Sequence, residues 1–199
     1  MRIALIILSS VLTIGGIVPY LAEVIRGKTK PRIVSWFTWT LLTIIGCAAT
    51  FADHDWASGT LLAAASLVTF SVVVFGLRYG DRRFERFDVV CQAAAVVGLV
   101  LWLTFDSPLI AVLASVAIDC VGAAPSLRHS WQKPYEETAI TFALGSAGAL
   151  ATLIATRPFR LTAVAYPMYL VLMNASFAIV IVARRKYAVA GEPSELREL

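Results

Sequence analysis

Seven long uncharged runs of apolar residues alternate with short charged segments along the chain. The runs lack the strict apolar and polar alternation of a barrel strand, and in lipid a segment must satisfy its own backbone hydrogen bonds. Each run is close to the roughly 20 residues that a helix needs to cross about 30 Å of hydrocarbon. The pattern predicts seven transmembrane helices, approximately at 3 to 25, 33 to 51, 57 to 77, 88 to 105, 108 to 127, 138 to 156 and 161 to 183.

The composition agrees with this pattern. Hydrophobic residues make up 59% of the 199 residues and charged residues 15%, and the mean hydropathy is +0.78. These values exclude a soluble domain with an aqueous surface. We therefore expect an all-α membrane protein whose solvent is the lipid bilayer.

The basic residues indicate how the chain is oriented, because Lys and Arg concentrate on the cytoplasmic face of a membrane protein. With seven helices, fourteen of the 17 Lys and Arg residues fall on one face: Arg26, Lys28, Lys30, Arg32, Arg78, Arg82, Arg83, Arg86, Arg128, Lys133, Arg184, Arg185, Lys186 and Arg197. This predicts a multi-pass protein of the plasma or inner membrane, with the amino terminus outside and the carboxyl terminus in the cytoplasm. Topology and anionic headgroups account for the net charge of +4, so no nucleic-acid partner is expected.

The chain also matches itself at a shift of 103 residues. On this shift 29 to 31 face 132 to 134, 38 to 41 face 141 to 144, and 67 to 71 face 170 to 174, while a small gap brings 15 to 21 opposite 121 to 127. Each repeat is a three-helix unit with a Pro late in its first helix. We expect two parallel three-helix bundles joined by a linker helix, a 3+1+3 arrangement: 1 to 87, linker 88 to 107, 108 to 186, and a cytoplasmic tail at 187 to 199.

This arrangement resembles the PQ-loop and SWEET superfamily of membrane transporters over residues 5 to 185. Pro19, the basic Lys-Pro segment at 28 to 31 and the Ser-containing start of the second helix at 35 to 39 look like that superfamily's first repeat. Residues 119 to 126 look like the Asp-containing PQ-loop helix of cystinosin-like, proton-coupled members. Tyr20 and Ser126 stand where the name-giving Gln would follow each Pro. The resemblance implies alternating-access transport of a small polar solute and does not name that solute.

Asp119 is the only acidic residue well inside a predicted helix. An ionised Asp at a helix centre costs about 2.5 to 3.5 kcal/mol on insertion scales. A carboxyl that faces a partly hydrated cavity can gain and lose a proton, so Asp119 is the candidate for proton coupling. The alternative is a structural Asp that is hydrogen-bonded to a neighbour.

Several polar and aromatic residues are candidates for solute binding. Helical spacing places Trp36, Trp39, Thr40 and Thr43 on one face of the second helix, where indoles and hydroxyls could contact a ring-shaped solute, although Trp near a helix end is also typical of the membrane interface. The remaining candidates are Asn174, which the resemblance favours for solute binding, its repeat counterpart Ser71, and Tyr166. Packing between helices is the alternative role for Asn174.

Pro19 and Pro125 occupy repeat-equivalent positions inside helices, where a Pro removes one backbone hydrogen bond and bends the helix. We expect them to serve either as hinges or as static kinks. Cys47, Cys91 and Cys120 lie inside predicted helices at irregular spacing and are interpreted as packing residues. No metal site and no cofactor is predicted.

The function favoured by these observations is a secondary transporter or facilitator of a sugar-, amino-acid- or nucleoside-like metabolite, with proton coupling through Asp119. The alternative is a membrane sensor or accessory protein that binds a lipid or lipid-linked sugar without moving it. An enzyme is not expected, because Asp119 has no other catalytic residue type at its depth. We expect the protein to be a monomer or a small homo-oligomer.

Overall fold

The computed structural model describes residues 2–52, 56–81, 85–102, 104, 108–157 and 159–190. Three of the predicted cytoplasmic basic residues, Arg82, Arg83 and Arg197, and most of the predicted tail lie outside this part of the chain.

Helices account for the regular structure of the described residues, which contain no strand. The seven helices are α1 (Arg2–Ile25), α2 (Ile33–Ala52), α3 (Trp56–Tyr79), α4 (Arg86–Trp102), α5 (Pro108–Gln132), α6 (Ala139–Ala155) and α7 (Leu161–Ala190). A single 3₁₀ turn, Pro134–Glu136, lies between α5 and α6. The predicted all-α class is confirmed.

Helices α5 and α7 continue five and seven residues beyond their predicted ends. The reason is a set of polar contacts between those ends. The side chain of Arg184 donates a hydrogen bond to the carbonyl oxygen of Trp131 at 3.1 Å, and that of Arg185 donates to the carbonyl oxygen of Pro134 at 2.9 Å. The length of the apolar run does not predict such an extension, because the added turns are charged and are stabilised by these hydrogen bonds.

Two connections between helices carry a Lys-Pro pair, Lys30-Pro31 after α1 and Lys133-Pro134 after α5. They lie side by side, since the backbone N–H of Lys30 donates to the carbonyl oxygen of Glu136 at 2.8 Å. We call the end of the molecule that holds both connections the Lys-Pro end.

The helices pack in a pattern that is the same in both halves of the chain. Helix α3 contacts both α1 and α2, and α7 contacts both α5 and α6, so the third helix of each set lies between the other two. Between the sets, α1 packs on α6 and α2 packs on α5. Helix α4 packs mainly on α5 and also touches α2.

The contacts between the two sets use equivalent residues. In α1, a Cβ atom on Gly16 would lie 3.2 Å from the carbonyl oxygen of Thr141, whose hydroxyl donates to the carbonyl oxygen of Gly16 at 2.8 Å. In α5, a Cβ on Gly122 would lie 2.6 Å from the side chain of Thr38. The sequence match places Gly16 opposite Gly122 and Thr38 opposite Thr141, so the same small-residue contact occurs twice.

An aromatic core fills the molecule toward the Lys-Pro end. The rings of Tyr20 and Trp36 have centroids 5.0 Å apart, and Phe142 stacks on Phe177 at 4.4 Å. Tyr20 and Phe142 meet edge to face at 6.4 Å. These contacts join α1, α2, α6 and α7 into one cluster.

Much of the outer surface is apolar. Large hydrophobic side chains are exposed along α1 and α7, including Ile3, Val11, Val18, Leu172 and Ile179, each of which is more than 60% exposed. Among the described residues, Arg2–Ile25 and Leu161–Tyr187 are long and apolar enough to cross a membrane, judged by length and composition. Shorter apolar helices are Ile33–Ala48, Ala65–Tyr79 and Ala139–Ala155. These features favour association with a membrane.

Candidate functional site

Asp119 lies at the junction of α2, α5 and α7. Its side chain is buried, with 3% of its surface exposed. The hydroxyl of Tyr166 donates a hydrogen bond to the carboxyl Oδ2 at 3.2 Å. The indole of Trp39 and the hydroxyl of Tyr169 are further polar neighbours of the same carboxyl. The structure thus brings together three residues that the sequence singled out, Asp119, Trp39 and Tyr166.

Local structure explains this convergence. Tyr166 and Tyr169 are three residues apart on α7 and so share a face, with ring centroids 6.0 Å apart. Trp39 follows Thr38, the residue that packs against Gly122 one turn beyond Asp119. The close approach of α2 and α5 at this glycine therefore carries the indole to the carboxyl.

The Asp119 site leaves two buried polar atoms without a hydrogen-bond partner, the carboxyl Oδ1 and the hydroxyl of Tyr169. No described basic side chain forms an ion pair with Asp119. An ionised carboxyl that is buried without a partner is costly. Burial without a described cation therefore disfavours the ionised form of this carboxyl.

Trp36 is placed differently from Trp39, although both lie on the predicted face of α2. Its indole Nε1 donates to the hydroxyl of Tyr20 at 3.1 Å, and its ring meets that of Trp39 edge to face at 4.9 Å. The hydroxyls of Thr40 and Thr43 donate to carbonyl oxygens of their own helix, at 2.8 Å and 3.0 Å. Such bonds are typical of Thr inside helices, and they occupy the hydroxyl protons.

Asn174 and Ser71 also form hydrogen bonds within their own helices. The amide of Asn174 donates to the carbonyl oxygen of Leu170 at 2.9 Å, and its Oδ1 would lie 2.9 Å from a Cβ on Gly145 of α6. The hydroxyl of Ser71 donates to the carbonyl oxygen of Leu67 at 2.6 Å. Asn174 therefore takes part in packing between α6 and α7, and its role in solute binding stays a prediction, as does that of Ser71.

The two prolines that were candidates for hinges lie inside continuous helices, Pro19 in α1 and Pro125 in α5. Pro125 is fully buried. The backbone N–H of the next residue, Ser126, donates to the hydroxyl of Ser35 on α2 at 3.2 Å. This bond ties the proline turn of α5 to α2, and the hinge role stays a prediction.

The burial of another carboxyl, that of Glu137, was not expected from the sequence. This residue lies just before α6 with 1% of its surface exposed. The hydroxyl of Tyr20 donates to its Oε2 at 3.3 Å, whereas Oε1 has no hydrogen-bond partner. Burial raises the pKa of Glu137 to about 8, against the lowering effect of the bonds from Tyr20 and from the backbone of Thr138.

Trp36 and Tyr20 connect the surroundings of Asp119 with those of Glu137. Trp39 is a neighbour of Asp119 and contacts Trp36, whose indole donates to Tyr20, which in turn donates to Glu137. An aromatic column thus runs from the middle of the molecule to the Lys-Pro end.

Ion pairs lock the Lys-Pro end. Lys30 pairs with Glu136 at 2.7 Å, joining the two Lys-Pro connections. The guanidinium of Arg32 binds Asp88 of α4 and lies 3.3 Å from Asp81. Burial acts to raise the pKa of Glu136, but the bond from Lys30 and the nearby positive charges lower it overall. Of these contacts, the pair of Lys30 with Glu136 joins the two helix sets, whereas those of Arg32 join the start of α2 to α4 and to the segment before it.

His129 lies within the same cluster, with its Nε2 3.3 Å from Glu136 Oε2. Burial lowers the pKa of His129. The described residues hold no group of three or more potential metal ligands.

No protein-family model, curated protein or solved structure matches this chain.

Two pockets lie away from Asp119. One is a crevice of about 10 Å³ between α2, α4 and α5, beside Thr38 and Gln92, which is close to the space of one water molecule. The other is an open surface groove of about 460 Å³, lined by Leu153, Ile154, Arg157 and Phe159. Neither of these two pockets is lined by Asp119.

Proposed function

We propose that this protein is a membrane transporter of a small polar metabolite that works by alternating access, with Asp119 as the proton-binding group. The observation that carries the proposal is the buried carboxyl of Asp119, with one oxygen unbonded, at the contact between the two helix sets. An intramembrane carboxyl is expensive and marks ion and substrate pathways in transporters.

The exposed apolar surface supports the membrane setting. A soluble protein would bury side chains such as Val18 and Ile179 rather than expose most of their surface. In the proposed topology all seven helices cross the bilayer, and the Lys-Pro end faces the cytoplasm. That orientation puts the basic residues of this end beside anionic headgroups and leaves the amino terminus outside.

The packing pattern supports the 3+1+3 arrangement and, with it, the resemblance to the PQ-loop and SWEET superfamily. In each set the third helix lies between the other two, and the sets meet through α1 with α6 and α2 with α5. The contacts of Gly16 with Thr141 and of Gly122 with Thr38 are what an axis along the membrane normal would produce from a repeated sequence. Helix α4 then serves as the linker.

The proposed alternating access would use these contacts. The ion pair of Lys30 with Glu136 joins the two sets at the Lys-Pro end. In the proposed cycle, opening toward the cytoplasm parts this pair while the two sets rock about their small-residue contacts. A protonated Asp119 carries no charge, so the closed state between the two openings is least costly in that form.

The test is solute flux in liposomes that contain the purified full-length protein. Sugars, amino acids and nucleosides are offered in turn while the internal pH is recorded for the unaltered protein and for Asp119→Asn. Glu85→Gln is the matched control, because it removes one carboxylate from an exposed ion pair. A solute-dependent pH change that is lost only in Asp119→Asn supports the proposal, and an undiminished pH change in that variant refutes proton coupling through Asp119.

One observation favours a second function, a lipid-binding accessory or sensor protein. The open groove beside Phe159 is apolar and also contains Arg157, which suits an acyl chain with an anionic headgroup. Absence of flux with every solute, together with a lipid that copurifies and is lost in Arg157→Gln, would favour this function over transport.

A further inference from the structure

The charge of the Asp119 site restricts what it can bind. Its carboxyl has no ion-pair partner among the described residues. An anionic solute would be repelled, and the carboxylate of a zwitterionic amino acid would find no described cation to pair with. A neutral solute or a cation remains.

The side chains around the carboxyl are aromatic. Trp39, Tyr166 and Tyr169 are its polar neighbours, and each of them also offers a ring. Aromatic faces attract organic cations, most strongly when the site is shielded from water. A carboxylate with three such rings is the combination that recognises an ammonium group.

The alternatives fit less well. A sugar needs many hydrogen-bonding partners, but the hydroxyls of Thr40 and Thr43 are bonded to their own helix. A metal ion such as Ca²⁺ takes six to eight oxygen ligands, and the site offers only the carboxyl oxygens and two tyrosine hydroxyls. Asp119 Oδ1 and the hydroxyl of Tyr169, which have no hydrogen-bond partner, are the polar atoms that a small cation would contact.

We infer that Asp119 and the rings of Trp39, Tyr166 and Tyr169 form a site that exchanges a proton for a small organic ammonium ion. This inference rests on the proposed transport function and names its substrate class. The carboxyl of Asp119 holds either its proton or the cation, and the protein crosses between its two openings only in one of these neutralised forms.

The exchange conserves charge and gives the direction of coupling. When the ammonium ion enters the site, the carboxylic acid gives up its proton to water on the same side, and one positive charge replaces another. The cation and the proton therefore move in opposite directions with no net current. The titratable groups that face Asp119 are Tyr166 and Tyr169 of α7, with Cys120 of α5 beside Tyr169, and Trp39 faces it from α2.

Radiolabelled tetramethylammonium tests the inference, because its permanent charge prevents leakage through the bilayer in a neutral form. Liposomes holding the full chain are made acidic inside and neutral outside. We expect uptake to be driven several-fold by this gradient, to be competed by choline, and to be unaffected by dimethylbutanol, the uncharged carbon analogue of choline. Asp119→Asn abolishes uptake and Glu85→Gln retains it, while Trp39→Leu weakens apparent affinity by about tenfold and Trp39→Phe by less.

A second measurement needs no variant. Tetramethylammonium should raise the thermal unfolding temperature of the purified protein, and more so at alkaline than at acidic pH, because protons compete for the same carboxyl. Gradient-driven flux of a neutral solute without any effect of tetramethylammonium would overturn the inference and leave the proposed transport function standing. Absence of flux for every solute, with no thermal shift, would overturn both.

Discussion

Replacing Glu137 by Gln should remove a large part of the pH dependence of this protein's stability. The pKa of Glu137 is raised from 4.5 to about 8, mainly by burial. Below pH 4.5 the folded and unfolded states both keep the proton. Between pH 4.5 and about 8 the folded state keeps a proton that the unfolded state releases, so the free energy of unfolding falls by about 1.4 kcal/mol per pH unit in that range.

The magnitude follows from the same two pKa values. Between about pH 6 and about pH 9 the unaltered protein should lose roughly 2 to 3 kcal/mol of stability through this one carboxyl. For a chain of this length, that loss corresponds to a fall of about 5 to 10 °C in the unfolding temperature. The amide of Gln mimics the neutral acid, so the variant should have a nearly flat profile over the same range.

The amide also brings a cost, because its NH₂ group would replace Oε1, which has no hydrogen-bond partner. An unsatisfied buried donor costs about 1 to 3 kcal/mol. Against this stands the energy of keeping Glu137 protonated, about 3 kcal/mol at pH 7. We therefore expect a net gain of about 1 kcal/mol at pH 7, growing to about 2 to 3 kcal/mol at pH 9.

The assay is thermal unfolding of the detergent-solubilised protein across this pH range. Glu136→Gln is the matched control from the neighbouring position. The pKa of Glu136 is lowered overall, although burial acts to raise it, so this variant should lose stability at neutral pH and keep the slope between pH 6 and pH 9. A Glu137→Gln variant with the same slope as the unaltered protein would refute the assignment of this pH dependence to Glu137.

Two further predictions concern packing and buried charge. Gly122→Ala should lower the free energy of unfolding by about 1 to 3 kcal/mol, because the new methyl group would lie 2.6 Å from the side chain of Thr38. Gly15→Ala is the control: nothing lies within 4 Å of its Cβ, so it should raise the free energy of unfolding by up to about 1 kcal/mol. Equal effects of the two substitutions in thermal unfolding would contradict the contact of Gly122 with Thr38. Arg32→Met should lower the free energy of unfolding by about 3 to 5 kcal/mol, because it leaves the buried Asp88 without its ion-pair partner. Adding Asp88→Asn should recover part of that loss. A double variant that is no more stable than Arg32→Met would contradict this prediction.

The positions of the helices could be predicted from the sequence because each depends on one local property, a long apolar run. Their ends could not, since the last turns of α5 and α7 are fixed by contacts between Arg184, Arg185 and the α5–α6 connection. Those contacts join residues about 50 positions apart, so they cannot be predicted from the local sequence.

Asp119 could be identified from the sequence because a lone acidic residue inside an apolar run is costly to bury and is therefore rare unless it has a function. Tyr169 was missed although it lies three residues after Tyr166, a spacing that already places both on one face of α7. Glu137 had no local signal, because it follows Glu136 in a charged connection. Only the tertiary fold distinguishes the two, burying Glu137 completely and leaving the side chain of Glu136 21% exposed.

The two halves share a scaffold but differ in chemistry, and this difference bears on how many protons a transport cycle could carry. In the repeat register, Thr13 of α1 occupies the position of Asp119, and Phe142 of α6 that of Trp39. Along the contact of α1 with α6, Thr13 lies against Gly148, and the hydroxyls of Ser9 and Thr152 bond at 2.7 Å. The contact of α2 with α5 carries the buried carboxyl instead. Of these two contacts, as the structure describes them, only that of α2 with α5 carries a buried carboxyl. Under the proposed function, coupling through Asp119 would therefore move one proton per cycle, with the α1–α6 contact as an uncharged pivot.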